Sequence, residues 1–517
     1  MNGAQALIRT LVACGVDTCF MNPGTSEMHF VAALDAVPDM HSVLALFEGV
    51  ATGAADGYGR MADRPAATLL HLGPGLGNGL ANLHNARKGH TPIVNIVGDH
   101  ATYHKQYDAQ LESDIETVAR NVSQFIRWSA KTGEVGRDAA DTVAAAFGPP
   151  GQVATLVLPA DISWSEGGEA AAPVTRAARG IVGDDAIRAI AAALRSGEPA
   201  VLLVGGTACR EQSLALARTI ADTTGAKLLC ETFPSRIERG AGRAAVDRIA
   251  YLAEFAAMQL EGARHLVLVD AKAPVSFFAY PDKASWLSPA ECEVHTLASS
   301  SCDAAAALGA LAAELGVTAP AATQELTRPE LPTGALTAQT VCAALGALLP
   351  EGAIVSDEGN TSGLFAAGAT AGAPPHDWLC LTGGAIGQGL PVAVGAAVAC
   401  PDRRVIALES DGSAMYTLQS LWTMAREGLD VTTIMFNNSS YAVLNMELGR
   451  VGAEGSGPRA KDMLDISRPD LDFVALAKGM GVSATRATTA EEFNDQLARS
   501  LATPGPTLVE AIVPSII

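Results

Sequence analysis

The most pointed chemical pattern in the chain is Asp411-Gly412-Ser413 followed, one helix and one strand later, by Asn437-Asn438. A carboxylate, an amide oxygen and a nearby backbone carbonyl are hard oxygen donors. They suit Mg²⁺, which keeps coordination positions open for phosphate oxygens and water. Free N–H groups at a helix start over Gly412-Ser413 favour a diphosphate. Combined, the pieces read as a metal-bridged diphosphate site. Taken singly, Asp411-Gly412 is a tight turn and Asn437-Asn438 a loop.

The elements around them decide between these readings. Arg404 to Ser410 is a buried strand pattern ending in Asp-Gly. Ala414 to Arg426 is an amphipathic helix pattern through Leu418, Leu421, Trp422 and Ala425. Val431 to Phe436 is a second strand ending in Asn-Asn. This is one βαβ unit. A right-handed crossover sets adjacent strands parallel and brings Asp411 and Asn438 to the same carboxyl edge, where open α/β sheets bind ligands.

The rest of the chain repeats that logic. In residues 1–165, strand patterns at Cys19–Met21, Ser42–Phe47, Ala67–Leu70 and Ile93–Val97 alternate with helices rich in Ala and Gly. Such alternation predicts a parallel sheet covered on both faces. Residues 166–180 read as a linker. Residues 181–320 form a second alternating block, with strands at Val201–Val204 and His265–Val269. The proline-rich stretch 318–335 leads into a third block, 336–517. The expected fold class is therefore α/β, with three doubly wound parallel-sheet domains at 1–165, 181–320 and 336–517.

Composition narrows the partners. The chain has 517 residues with a net charge of −20, from 35 Lys+Arg against 55 Asp+Glu. That field repels nucleic acid and anionic membrane surfaces. The most apolar helical stretch, Ala385 to Cys400, is too short and too broken by Gln388, Pro391 and glycines to span a bilayer. Nine scattered cysteines without a CxxC spacing argue against a disulfide framework or a structural zinc site, and for free thiols in a reducing cytoplasm. No basic region followed by an apolar run opens the chain, so a signal peptide is not expected.

On one crossover, Asp411-Gly412 and Asn437-Asn438 resemble the thiamin-diphosphate motif, G-D-G followed by N-N, with Ser410 replacing the first glycine. The resemblance implies that Asp411, Asn438 and the Ser440 carbonyl hold Mg²⁺. It also implies that Gly412 and Ser413 meet the diphosphate of thiamin diphosphate, with Tyr441 beside them. A distant segment is similar to the same family: Phe47-Glu48-Gly49-Val50-Ala51-Thr52-Gly53-Ala54-Ala55-Asp56-Gly57. There a glutamate stands against the cofactor's aminopyrimidine and favours the tautomer that takes the C2 proton. The plainer reading of Glu48 is a helix-opening acid stabilised by the dipole.

More of the chain is similar to the acetolactate synthase and benzoylformate decarboxylase group. Asn22-Pro23-Gly24-Thr25-Ser26-Glu27 resembles a loop in which Ser or Thr meets substrate. Leu70-His71 through Gly79, including Asn78, resembles the next loop, with His71 at an active-site histidine. In Thr382 to Pro391, Gly384 is expected at the cofactor and Ile386 takes the place of the bulky residue that bends it. The resemblance implies Glu48, His71 and Thr25 as catalytic groups. Thr25, His71, Gln110, Val443, Leu444 and Glu447 are the expected substrate pocket.

Departures keep the substrate open. The run Ala273 to Tyr280 lacks the second histidine of benzoylformate decarboxylase. Gly98 to His104 lacks the paired histidines of pyruvate decarboxylase. Asp108-Ala109-Gln110 displaces the glutamine of acetolactate synthase by one. His29, His84, His90, His100 and His104 read as solvated or structural, with His100 and His104 nearest to the expected site. The resemblance implies decarboxylation of a 2-oxo acid, carboligation, or both, in a homo-oligomer of at least two subunits, commonly four. FAD in the middle domain is left open but not supported by the sequence. The competing readings are a nicotinamide or flavin oxidoreductase and a cofactor-binding scaffold without catalysis. Gly75-Leu76-Gly77-Asn78-Gly79 lacks the spacing the first requires. Glu48 argues against the second.

Overall fold

The computed structural model describes residues 1–453 and 457–516. The first segment supplies β1 (Thr18–Asn22), β2 (His41–Leu44), β3 (Ala66–Leu70), β4 (Ile93–Asp99), β5 (Phe125–Trp128) and β6 (Val153–Pro159). They form a six-stranded sheet in the order β2-β1-β3-β4-β6-β5, parallel throughout. Buried Val, Leu and Ala fill β3, β4 and β6 on both faces, as a sheet covered by helices on both sides requires.

The middle segment carries β7 (Ala200–Val204), β8 (Lys227–Cys230), β9 (Ile237–Arg239), β10 (Asp247–Arg248), β11 (His265–Val269) and β12 (Glu293–Ala298). Five of these make a parallel sheet in the order β10-β8-β7-β11-β12. The third segment carries β13 (Ile354–Glu358), β14 (His376–Cys380), β15 (Val405–Ser410), β16 (Val431–Asn437), β17 (Ser483–Ala487) and β18 (Thr507–Ile512). Its sheet has seven strands in the order β17-β18-β16-β15-β13-β14-β9. The α/β class and the three parallel sheets agree with the sequence pattern. One detail differs: β9 leaves the middle segment and pairs antiparallel with β14, Trp378 opposite Ile237. Three residues are too few to show a period, and only tertiary pairing fixes them.

The first and third segments share one core. The helix Glu48–Ala62 is buried from Glu48 to Met61, and the helix Gly389–Ala399 from Gly389 to Ala397. The helix Gly389–Ala399 is apolar all round, and such a helix belongs in the middle of a molecule. Here the two helices pack together because glycines let them approach. A Cβ added at Gly53 would stand 2.5 Å from Pro391 Cβ, one at Gly57 would overlap Val392 O, and one at Gly395 would overlap Ala54 O. Val50, Ala51 and Ala54 join Leu390, Val392, Ala407 and Met435 in one apolar cluster. A polar clasp crosses the same junction. Gln388 Nε2 and Arg60 both bond Asp56, and Arg60 Nη1 also donates to Cys380 O at 2.7 Å.

Candidate active site

In the third sheet, β15 and β16 are parallel neighbours, with Ser410 opposite Phe436. Their carboxyl ends therefore adjoin, as the crossover argument requires. Asp411 opens the helix Asp411–Thr417, and its carboxylate is saturated by backbone donors. Oδ2 accepts from the N–H groups of Asn438 at 2.9 Å and Ser439 at 2.7 Å, and Oδ1 from Gly412 at 2.8 Å. Ser440 N–H donates to Asn438 Oδ1 at 3.0 Å, and Asn438 Nδ2 reaches Ser362 Oγ at 3.3 Å. The Tyr441 ring lies over Gly412. Ser413 Oγ accepts from Asn360 Nδ2 at 2.7 Å.

Burial raises the Asp411 carboxyl, and the backbone N–H groups only partly offset this. Among the described residues no cationic side chain faces it. A buried carboxylate without a counter-charge is the situation that a divalent cation relieves. Asn438 and Ser440, on the loop whose backbone grips Asp411, carry an amide oxygen and a carbonyl, so the donors on offer are all hard oxygens. The residues fit Mg²⁺ and a diphosphate.

In the first sheet, Thr25, Glu48 and His71 follow β1, β2 and β3, which are neighbours. Asn22 at the end of β1 is the register partner of Leu70 at the end of β3. Phe47, fully extended, delivers Glu48 to the first turn of its helix. Asn78 Nδ2 donates to Glu48 Oε2 at 3.0 Å, and Oε1 takes no hydrogen bond among the described residues. His71 Nδ1 meets Glu27 Oε2 at 2.7 Å, and Gly24 N–H donates to the same oxygen at 2.7 Å. Burial raises the Glu27 carboxyl, and the charge of His71 works against that rise. Glu27 Oε1 is buried without a partner. Thr25 is exposed in the turn beside this pair.

One loop joins the two halves. Asn82 Nδ2 donates both to Gly49 O at 2.8 Å and to Gly387 O at 3.1 Å. Asn85 Nδ2 donates to Ala385 O at 2.8 Å, and Thr417 Oγ1 to Gly387 O at 3.0 Å. Ile386 is thus held between first-domain asparagines and the helix that follows Asp411. Gly384 has φ +74°, and a Cβ there would stand 2.5 Å from Phe277 Cζ. His84, expected to be structural, reaches Gly383 O at 3.2 Å beside this loop.

The remaining expected residues divide. Val443 and Leu444 lie on the helix Ala442–Arg450, and Leu444 is exposed. Glu447 is buried and turned toward the middle segment, where it accepts from Tyr280 Oη at 2.8 Å and Tyr251 Oη at 3.4 Å. Burial, then the Glu447 charge, pushes the Tyr251 phenol up. Gln110 is exposed and makes no side-chain hydrogen bond among the described residues. Sequence reasoning did not single out Glu27, Asn360 or Phe277. Glu27 had a signal, as the one acid in the Asn22–Glu27 loop. Asn360 and Phe277 had none, because their partners lie far along the chain.

Comparison with known proteins completes the picture. Residues 1–119 match the family model "Thiamine pyrophosphate enzyme, N-terminal TPP binding domain", and residues 357–511 the corresponding C-terminal TPP binding domain. The chain is 60% identical over 520 residues to the Mycobacterium tuberculosis protein named "Putative acetolactate synthase large subunit IlvX", covering all of both chains. It is 30% identical over 534 residues to benzoylformate decarboxylase of Pseudomonas aeruginosa, covering 96% of each. The solved structure of the thiamine diphosphate-dependent 4-hydroxybenzoylformate decarboxylase of Rhodococcus jostii superposes with a TM-score of 0.86 at 24% identity, over 99% of both chains, and shares the fold. The chain belongs to the thiamin-diphosphate enzyme family and is an enzyme of the acetolactate synthase and benzoylformate decarboxylase type.

Proposed function

We propose that the protein uses thiamin diphosphate and Mg²⁺ to decarboxylate a 2-oxo acid without oxidation. The acyl unit is then released as an aldehyde or joined to a second carbonyl. The observation that carries this reading is Glu48: a carboxylate with one oxygen held by Asn78 and the other free, opening a helix beside the loop of Ile386. When bound, the cofactor supplies a nucleophilic carbon and an electron sink for the pair left by CO₂.

The chain's residues do the rest. Asp411, Asn438 and the Ser440 carbonyl hold the metal, and Gly412, Ser413 and Tyr441 border the diphosphate. Glu48 moves a proton at the aminopyrimidine. Ile386 and Gly384 shape the bed of the cofactor. Glu27 orients His71 through Nδ1, so that Nε2 is the nitrogen free to steer a substrate carboxylate or proton. Thr25 stands beside it. Phe277, Tyr251, Phe233 and Phe278 form an aromatic cluster at Gly384, with Phe277 edge-to-face against Phe233 and Phe278. That wall favours a 2-oxo acid with an apolar side chain. Benzoylformate itself should turn over poorly, since no histidine stands in the Ala273–Tyr280 run. The assembly is at least a homodimer by family resemblance.

The test is a panel of aliphatic and aryl 2-oxo acids, given to purified protein with thiamin diphosphate and Mg²⁺. Both CO₂ release and carboligation products are read. Absence of both with every acid would overturn the reading. Brisk benzoylformate turnover would overturn the argument from Ala273–Tyr280.

A further inference from the structure

The amino edge of the middle sheet, opposite the edge where ligands bind in such folds, carries a cluster unrelated to the site above. His265 opens β11 and is the register partner of Glu293, which opens the edge strand β12. His295 follows two residues later, so the three side chains share one face. His265 Nδ1 and His295 Nε2 point at each other across 3.1 Å. The imidazoles do not stack: their planes are inclined by 44°. A Glu293 oxygen stands 4.0 Å from His265 Nδ1, and the other stands 3.9 Å from His295 Nδ1. Behind His265, Glu198 Oε2 lies 3.1 Å from Nε2.

We infer that His265, His295 and Glu293 form a binding site for a divalent transition-metal ion such as Zn²⁺. Two nitrogens bound to one tetrahedral zinc at 2.0–2.1 Å stand about 3.3 Å apart, close to the observed separation. Two imidazoles and one carboxylate leave a fourth position for water. Glu198 fixes the tautomer: His265 Nε2–H donates to the carboxylate, which leaves the Nδ1 lone pair facing the site. Glu198 also faces Arg264 Nε at 4.0 Å, which orients it from the far side. Glu293 is largely exposed and free to close on an ion. Neither cysteine spacing nor a histidine motif marks this site, because its members come together only through strand pairing. Such an ion would fasten the edge strand β12 to its neighbour.

The test uses the full-length holoenzyme in excess Mg²⁺ and thiamin diphosphate, titrated with Zn²⁺ and, separately, Co²⁺. The expected result is one Zn²⁺ per chain, with Co²⁺ giving the strong visible bands of a tetrahedral nitrogen-containing site. An octahedral all-oxygen Mg²⁺ site gives weak ones. His295→Gln should abolish both signals and leave decarboxylation unchanged. Glu198→Gln should weaken Zn²⁺ affinity about 10–100-fold while keeping the spectrum, as loss of a supporting carboxylate does. Zn²⁺ bound equally well by His295→Gln, or no stoichiometric Zn²⁺ in the wild type, would overturn the inference. Should His265→Ala fail to fold, His295→Gln and the exposed Glu293→Gln still decide the matter.

Discussion

Two buried carboxylates, one in each half of the site, are held in opposite ways. Asp411 is gripped by three backbone N–H groups and has both oxygens occupied. Glu48 is touched by one side-chain amide and has an oxygen to spare. A carboxylate saturated by backbone donors cannot turn, and it serves as a fixed negative charge. A carboxylate with a free oxygen can form and break a hydrogen bond to a ligand during a reaction. In the proposed function the third domain would thus contribute an electrostatic anchor and the first a proton-handling group, although both residues open helices at the carboxyl edges of parallel sheets.

The largest effect is expected at Glu48. Glu48→Gln keeps the size and the bond to Asn78 but removes the acid–base function, so activity should fall about 10²–10⁴-fold. Cofactor binding should survive. Hydrogen–deuterium exchange at C2 of the bound cofactor, by quenched-flow NMR, measures the step; equal rates in variant and wild type would remove Glu48 from the mechanism. Asp411→Ala should do the reverse. The wild type should gain about 3–4 kcal/mol from thiamin diphosphate and Mg²⁺ supplied at 100 to 1,000 times their dissociation constants. The variant should gain none in the same calorimetric melt. An undiminished shift would show that the anchor lies elsewhere.

Acid sharpens the contrast between the two sheets. His376, at the start of β14, is fully buried, and its pKa is lowered to about 4, first by burial and then by Arg239. Its ordinary value is near 6.5, so the unfolded chain takes up a proton before the folded one does. The stability it contributes is complete above pH 6.5 and is lost as pH falls toward 4, by about 3 kcal/mol in total. Denaturant melts of wild type and His376→Asn across that range should converge at the acid end. Parallel curves would show that His376 does not titrate this way. The smallest effect concerns the junction of the halves. Gly57→Ala places a methyl against Val392 O and should cost about 1–3 kcal/mol of stability. The melting temperature reads it, and an unchanged value would mean that the two helices can separate without penalty.

The sequence made the βαβ unit legible because each of its strands is a mostly apolar, buried run ending in turn residues. Its helix was less legible. The pattern suggested Ala414–Arg426, but the chain forms Asp411–Thr417 and Ser420–Glu427, joined by a tighter turn in which Leu421 N–H bonds Leu418 O. Asp411 is drawn into the first turn because its carboxylate caps its neighbour. Likewise the strand expected at Ser42–Phe47 ends at Leu44, since the chain must bend to bring Glu48 to its helix. Glu48, His71 and Asp411 could be named because each sits in a contiguous motif. Pairs such as Glu27 with His71, Asn360 with Ser413 and Tyr280 with Glu447 could not, because nothing periodic links residues that meet only in the folded chain.

The strand Ile237–Arg239 has a consequence for how the molecule can be made and cut. It closes the outer edge of a sheet whose other members all lie later in the chain. During synthesis this strand leaves the ribosome before the sheet it completes exists, and β14 finds its neighbour already waiting. A fragment beginning at the proline-rich stretch would therefore expose the backbone of His376–Cys380 as a bare edge, a ready template for self-association. The middle segment is a sewn-in flap rather than a removable module, and expression of the third segment alone calls for that strand to be supplied in trans.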